Sequence, residues 1–390
     1  MTAGLSDEQQ EYVARIRAVA NDHLAGVPAV HGAVNRPLVA ALGEHGLLRG
    51  LFGGPPDEPV DLEAGDAAAV QLCLLRETLA TINTEAETAL ALQGLGSYPI
   101  LQSGSRSAVD RWIPGVVAGS IVAAFALSEP DAGSDAASLS LAADRDSDGS
   151  WRLHGEKTWI SNAPAADVYS VFARTTEGTG ARGVTAFVVP GDADGLGGER
   201  LDMLAPHAIG RLVFDGVRVT DDDVLGEVDR GFAVAMRTLD LFRPSVGAFA
   251  VGMAQAALDA ALDWALTREV YGDLLIRQQS VEHALAEMAT RTEAARLLVR
   301  AAATAYDGAA PAAQVTQSAA MAKLFATETA QWVVDQAVQM HGARGLQRDH
   351  LLERLYREVR APRIYEGASE VQRTIIGRGL VRSRQQEGQA

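Results

Sequence analysis

Hydrophobic periodicity changes twice along this chain, and the order of the changes limits the folds open to it. From Ser6 to about Gly119 apolar residues recur every three to four positions. Ser6 and Gln9 form a capping-box pattern, and Val13, Ile16, Val19 and Leu24 follow at helical spacing. A Gly-, Pro- and Asp-rich loop, Gly53–Gly65, interrupts the series before helical patterns resume over Asp66–Ile82, Glu85–Leu95 and about 107–117. Between about Ser120 and Arg230 the period shortens. The stretches IVAAFAL, WRLHGEKTWIS, VYSVFART, GVTAFVVP and RLVFDGVRV alternate with Gly/Asp turns and predict five or more strands of a compact β domain. Helix returns from Gly231, over about 231–270, 280–306, 316–341 and 347–383. Long amphipathic helices with short connections predict an antiparallel four-helix bundle. The sequence therefore divides into helical residues 1–119, β residues 120–230 and helical residues 231–390.

Composition excludes several classes of function. The 390 residues carry a net charge of −16, which repels a phosphate backbone or an anionic lipid surface, so neither nucleic acid nor membrane is expected as a partner. Cys73 is the only cysteine and lies in an apolar run, so there is no intrachain disulfide and no cysteine metal site. The eight histidines show no HxxxH or HExxH spacing, and no metal is expected. No GxSxG or P-loop sequence occurs. The N-terminus has no basic-then-apolar segment of a signal peptide, and no run is expected to reach the roughly 18 apolar residues of a spanning helix. A cytoplasmic protein is the expectation.

Several short stretches could carry chemistry. FALSEPDAGSD (Phe125–Asp135) ends in small residues whose N–H groups around Ala132, Gly133 and Ser134 could cradle an anion, and Ser128 could bond a polar ring edge. The same stretch could be an ordinary β-turn. GEKTWISN (Gly155–Asn162) places Trp159 in a β hairpin. A strand tryptophan serves the core or lies against a flat ring, with Ser161 on the same strand face. Asp240 and Arg243 are neighbours on one helical face, where an exposed ion pair is the simplest reading. TREVYGDLLIRQQSV predicts a helix ending at a glycine with Arg268 and Tyr271 near its end, and QMHGARG is a second helix-ending glycine turn. Glu366 stands in RIYEGASEVQR between Tyr365 and Gly367.

In this order, FALSEPDAGSD, GEKTWISN, FDGVRV…VLGE, RPSVGAFAVG, TREVYGDLL, QMHGARG and IYEGASEVQR resemble the motifs of the acyl-CoA dehydrogenase family of flavoproteins across nearly the whole chain. The resemblance implies an α+β multidomain fold: an N-terminal helical domain, a central β barrel and a C-terminal four-helix bundle, with FAD between barrel and bundle. It implies that Phe125, Leu127 and Ser128 line the flavin ring, that Gly133 and Ser134 meet phosphate or pantetheine groups, and that Trp159 and Ser161 cover and bond the isoalloxazine. Arg268, Tyr271, Gln278, Gln279 and the Gln339–Gly342 turn match positions that hold the FAD of a neighbouring subunit, implying a homodimer or homotetramer. Asp240 and Arg243 match a pair that meets the CoA arm, and Tyr365 and Gly367 flank the substrate. Glu366 falls on the catalytic base, with the thioester carbonyl approaching its N–H beside Gly367. No neighbouring charge is expected to oppose a raised pKa there.

The implied activity is α,β-dehydrogenation of an acyl thioester, with an electron-transferring flavoprotein as electron acceptor. An acyl-CoA oxidase or a flavin monooxygenase on the same fold, and a non-catalytic thioester-binding protein, are the alternatives. This chain departs from the family pattern at Ala368 and Glu370 (commonly Thr and Gln), which leaves any FAD contact there to the backbone or in altered form. It also departs at Ala343, at LAPHAIGR, at Thr220, at Ala108–Asp110 and in the GGPPDEPVD loop. Several of these lie toward the substrate side, so the thioester carrier is CoA or an acyl carrier protein.

Overall fold

The computed structural model describes residues 4–52, 68–178 and 180–387. The loop expected over Gly53–Gly65 lies outside the described residues. In chain order the elements are α1 (Asp7–Val19), α2 (Arg36–Glu44), α3 (Ala69–Ile82), α4 (Thr84–Ser103) and α5 (Arg106–Val117). Then come β1 (Ala123–Ala126), β2 (Ala142–Arg145), β3 (Trp151–Ser161), β4 (Val168–Arg174), β5 (Val184–Pro190), β6 (Leu196–Arg200), β7 (Ile209–Val219) and β8 (Val224–Leu225). The remainder is α6 (Gly231–Thr267), β9 (Glu269–Val270), β10 (Asp273–Leu274), α7 (Gln279–Asp307), α8 (Ala312–His341), α9 (Leu351–Glu358) and α10 (Ser369–Glu387). The capping box at the start of α1 forms in both directions, Ser6 N–H to Gln9 and Gln9 N–H to Ser6.

The chain divides into two compact units. One comprises Met1–Ala18, Ala68–Thr84 and Asp240–Ala390; the other comprises Val19–Ala67 and Glu85–Leu239. In the first, alanine and glycine let helices approach closely. A Cβ at Gly252 of α6 would meet the Ala80 side chain and the Glu77 carbonyl of α3 at 2.5 Å. Glu77 and Arg296 form a buried ion pair of 2.8 Å between α3 and α7. The N-cap position of α3, Ala68, has no side chain to cap the helix. The Asp307 carboxylate at the end of α7 takes that role, accepting from the Ala69 and Val70 amides at 2.6 and 3.0 Å.

Three expectations for this region change. The fourth helix, expected over 347–383, is two helices, α9 and α10. Between them Glu366 and Gly367 have φ of 51° and 94°, which no right-handed helix accommodates. The helix before Tyr271 ends at Thr267 rather than at a glycine, and Tyr271–Gly272 forms the tip of the β9–β10 hairpin. Finally, α6 does contain a stretch long and apolar enough to cross a membrane, with mean hydropathy 1.4. Of that stretch 72% is buried inside the protein, so it serves as a core helix; its Ala/Gly content disguises it as a sequence.

The second unit combines α2, α4 and α5 with one eight-stranded sheet in the order β6-β7-β3-β2-β4-β5-β8, and β1 pairs in parallel with β4. The predicted strand runs fall on β1, β3, β4, β5 and β7; β2, β6 and β8 are additional. Sheet and helix meet at a glycine. A Cβ at Gly96 of α4 would lie 2.5 Å from Ala124 N, and Ser170 Oγ of β4 donates to the Gly96 carbonyl at 2.8 Å. Gln93 adds bonds to the Ala123 amide and the Ile121 carbonyl. Gly178–Gly183 spells G-x-G-x-x-G. The strands on either side of it, β4 and β5, are antiparallel, so it lacks the strand-then-helix setting of a dinucleotide-binding turn.

Candidate active site

In the second unit, the FALSEPDAGSD and GEKTWISN stretches are joined by a buried ion pair that sequence reasoning missed. Lys157 Nζ donates to Glu129 Oε1 at 2.8 Å and to the Leu127 carbonyl at 2.9 Å, and both side chains are excluded from solvent. Glu129 also accepts from Ser140 N and Oγ and from Leu141 N. Burial works to raise the Glu129 carboxyl, but the Lys157 ammonium and these donors bring it below the usual range. Burial pulls the Lys157 ammonium down to about 8 against the pull of Glu129. The pair fixes the turn in which Glu129 and Ala132 exchange backbone bonds of 3.2 Å. Beyond that turn Gly133 and Ser134 are exposed, and a Cβ at Gly133 would meet nothing within 4 Å. The Ser128 carbonyl accepts from Thr158 N. Leu127 is buried, while Phe125 and Ser128 are half-buried.

Trp159 belongs to β3, but not as a core residue. The β3–β7 register slips between Lys157 and Ile160, Trp159 takes φ of 56°, and its side chain is left 50% exposed. A bulge re-aims a side chain in this way. Ser161 ends the strand half-buried. An open indole face, hydroxyls at Ser128 and Ser134 and an unobstructed glycine turn suit a flat heteroaromatic ring with a phosphate-bearing arm, so these residues fit FAD.

In the first unit, Glu366 is half-buried as a residue, yet its Oε2 is enclosed and has no hydrogen-bond partner. Burial pushes its carboxyl above the ordinary glutamate value. Arg76, Lys323 and Arg243 oppose that shift, contrary to the expectation of no opposing charge. The carbonyls of Tyr365, Glu366 and Gly367 are each gripped by a side chain. Lys323 Nζ donates to the Tyr365 and Gly367 carbonyls at 2.9 and 2.7 Å. Gln372 Nε2 reaches the Gly367 and Glu366 carbonyls at 2.9 and 3.3 Å, and Arg243 Nε the latter at 3.4 Å. Gly367 is required twice: its φ is 94°, and a Cβ there would meet Gln372 Nε2 at 2.5 Å.

Asp240 and Arg243 do pair, at 2.9 Å, but Arg243 is only 5% exposed and Asp240 half-buried, so the pair is not an exposed surface contact. Burial raises the Asp240 carboxyl against Arg243 and Thr316, whose hydroxyl donates to it at 2.9 Å. Of the remaining expected residues, Arg268 follows α6 with its guanidinium over the Trp264 ring. Tyr271 is fully exposed with φ of 52°, and Gln278 and Gln279 open α7. Gln339 accepts from Gly342 N, and Gly342 ends α8 at φ of 61°. Ala368 is half-buried and Glu370 exposed beside Arg373.

The sequence matches the acyl-CoA dehydrogenase N-terminal domain over residues 6–120, the middle domain over 124–217 and the C-terminal domain over 229–381. A cyclohexane-1-carbonyl-CoA dehydrogenase of Geobacter metallireducens is 33% identical over 386 residues, covering 97% of this chain and 98% of its own. The structure of butyryl-CoA dehydrogenase from Megasphaera elsdenii superposes with a TM-score of 0.88 at 32% identity, covering 98% of this chain and all of the other. A glutaryl-CoA dehydrogenase of Mycobacterium smegmatis in complex with FADH2 reaches 0.86 at 25% identity, covering 96% and 95%. The chain belongs to the acyl-CoA dehydrogenase family and is an FAD-dependent flavoprotein oxidoreductase.

Proposed function

We propose that the protein oxidises the Cα–Cβ bond of an acyl thioester to the 2,3-enoyl thioester, with Glu366 as the base. The observation that carries this reading is the Glu366 carboxylate itself, enclosed, unpartnered at Oε2 and held on left-handed backbone. Such strain in a non-glycine residue costs about 1–3 kcal/mol and concentrates at functional sites. A carboxylate oxygen with no donor to satisfy it is available to take a proton. The α-proton passes to Glu366, the Cα–H electron pair becomes the new π bond, and Cβ releases a hydride. FAD, when bound, accepts that hydride. Burial raises the carboxyl above the ordinary glutamate value, and Arg76, Lys323 and Arg243 pull against that rise. Asp240 and Arg243 are the proposed contacts of the carrier arm. Phe125, Leu127, Ser128, Gly133, Ser134, Trp159 and Ser161 are proposed flavin neighbours in the second unit. Tyr271, exposed on its hairpin tip beside Arg268, supports an FAD contact across subunits and hence a homo-oligomer. An electron-transferring flavoprotein is the proposed acceptor partner.

The test is anaerobic titration of the yellow enzyme with a panel of acyl-CoA and acyl-carrier thioesters, following flavin bleaching. The enzyme should release FAD on denaturation. Glu366→Gln should retain FAD and bleach about 10²–10⁴-fold more slowly. Bleaching at the wild-type rate would place the base elsewhere, and rapid oxygen consumption in turnover would identify an oxidase.

A further inference from the structure

Lys323 is fully buried on α8, on the same helical stripe as Ala319, Ala320, Ala326, Thr327 and Ala330. An ammonium withdrawn from water is costly and needs a compensating partner. Here its bonds go to two main-chain oxygens, Tyr365 O and Gly367 O, one residue either side of Glu366. Those oxygens belong to the peptide planes after Tyr365 and after Gly367, so one ammonium clamps the backbone on both sides of the base. Gln372, on α10 and also fully buried, adds donors to the Glu366 and Gly367 carbonyls. Without these donors nothing local favours the left-handed conformation, which L-residues leave readily. The same ammonium leaves Glu366 Oε2 without a donor, where a direct bond would quench the base.

We infer that Lys323 and Gln372 are positioning residues that hold Glu366 in its left-handed, unpartnered geometry and so set the rate of proton abstraction. This rests on the reading of Glu366 as base. A base displaced by about 1 Å loses on the order of 10²-fold in rate.

The experiment uses FAD-loaded wild type, Lys323→Met, Lys323→Arg, Gln372→Met, Glu366→Gln and the double variant Lys323→Met/Glu366→Gln. The substrate is the acyl-CoA that bleaches wild type fastest. Lys323→Met should keep its FAD and its KM while kcat falls about 10–100-fold. Lys323→Arg, which keeps charge and donors, should recover part of the loss. Against the residual bleaching of Glu366→Gln, adding Lys323→Met should cost less than about twofold, because groups acting as a unit are not additive. Should Lys323→Met fail to fold, Gln372→Met carries the same expectation. Wild-type kcat in the foldable variants, or full additivity with Glu366→Gln, overturns the inference while Glu366→Gln remains inactive. A fully active Glu366→Gln overturns instead the reading of the base.

Discussion

Replacing Lys157 by Met removes one member of the buried pair that ties the Ser128–Asp135 turn to β3. Methionine fills nearly the same volume, so no cavity term enters. What remains is a Glu129 carboxylate with Ser140 and Leu141 as its donors and no counter-charge, together with a Leu127 carbonyl that has lost its donor. Breaking a buried pair on one side costs about 3–5 kcal/mol. For a unit of this size each kcal/mol is about 2–4 °C in Tm, so a fall of about 6–20 °C is expected. Thermal unfolding of apoenzyme followed by tryptophan fluorescence measures it, since Trp151 and Trp159 lie on the same strand as Lys157. The paired change Glu129→Gln/Lys157→Met removes both charges and should restore more than half of the loss. A Tm shift under about 1 °C for Lys157→Met would show that the pair is not a determinant of this unit's stability. A double variant no better than the single would locate the cost in the lost Leu127 contact instead of the orphaned charge.

Other perturbations follow from the same geometry. The Glu366 carboxyl is raised, so its base form is lost on acidification earlier than for an ordinary glutamate. The acid limb of kcat/KM should therefore lie above the usual carboxylate range, and Arg76→Met, which removes an opposing cation from α3, should move it further alkaline. A limb that moves the other way would refute the role given to Arg76. Gly96→Ala forces a methyl against Ala124 N and should cost about 1–3 kcal/mol in thermal melts. Trp159→Ala removes an exposed ring and should leave apoprotein stability within about 0.5 kcal/mol while weakening FAD retention, measured by flavin release on dilution.

What the sequence revealed was what recurs locally. The helix-to-strand-to-helix order and the capping box at Ser6 are written in short-range periodicity. The strands of VYSVFART and GVTAFVVP announce themselves through β-branched and aromatic residues. β2 and β6 do not, because AADR and LGGER carry no such residues and are strands only through their partners β3 and β7. Pro362 and Gly367 are visible breakers between α9 and α10, but the left-handed turn at Glu366 was hidden because Glu366 is an ordinary residue by propensity, and donors as distant as Lys323 hold the turn. Lys323 left one trace, a lysine on an alanine stripe that would otherwise read as core. The Glu129–Lys157 link left none, although both residues sit in stretches that stood out for other reasons.

The carboxylate of Asp307 at the start of α3 carries a consequence for how freely this protein can vary. A helix that borrows its cap from the chain preceding it constrains that chain's last residues. Here the cap arrives from the far end of α7, 238 positions later. Where α3 begins, and hence where Arg76 and Glu77 point, is thereby tied to Asp307, whatever the identity and length of residues 53–67. Insertions, deletions or grafted segments in that stretch should leave the helix start and the residues it carries in register, provided Asp307 is kept. Asp307→Ala transfers that duty back to the preceding chain and makes the same insertions costly.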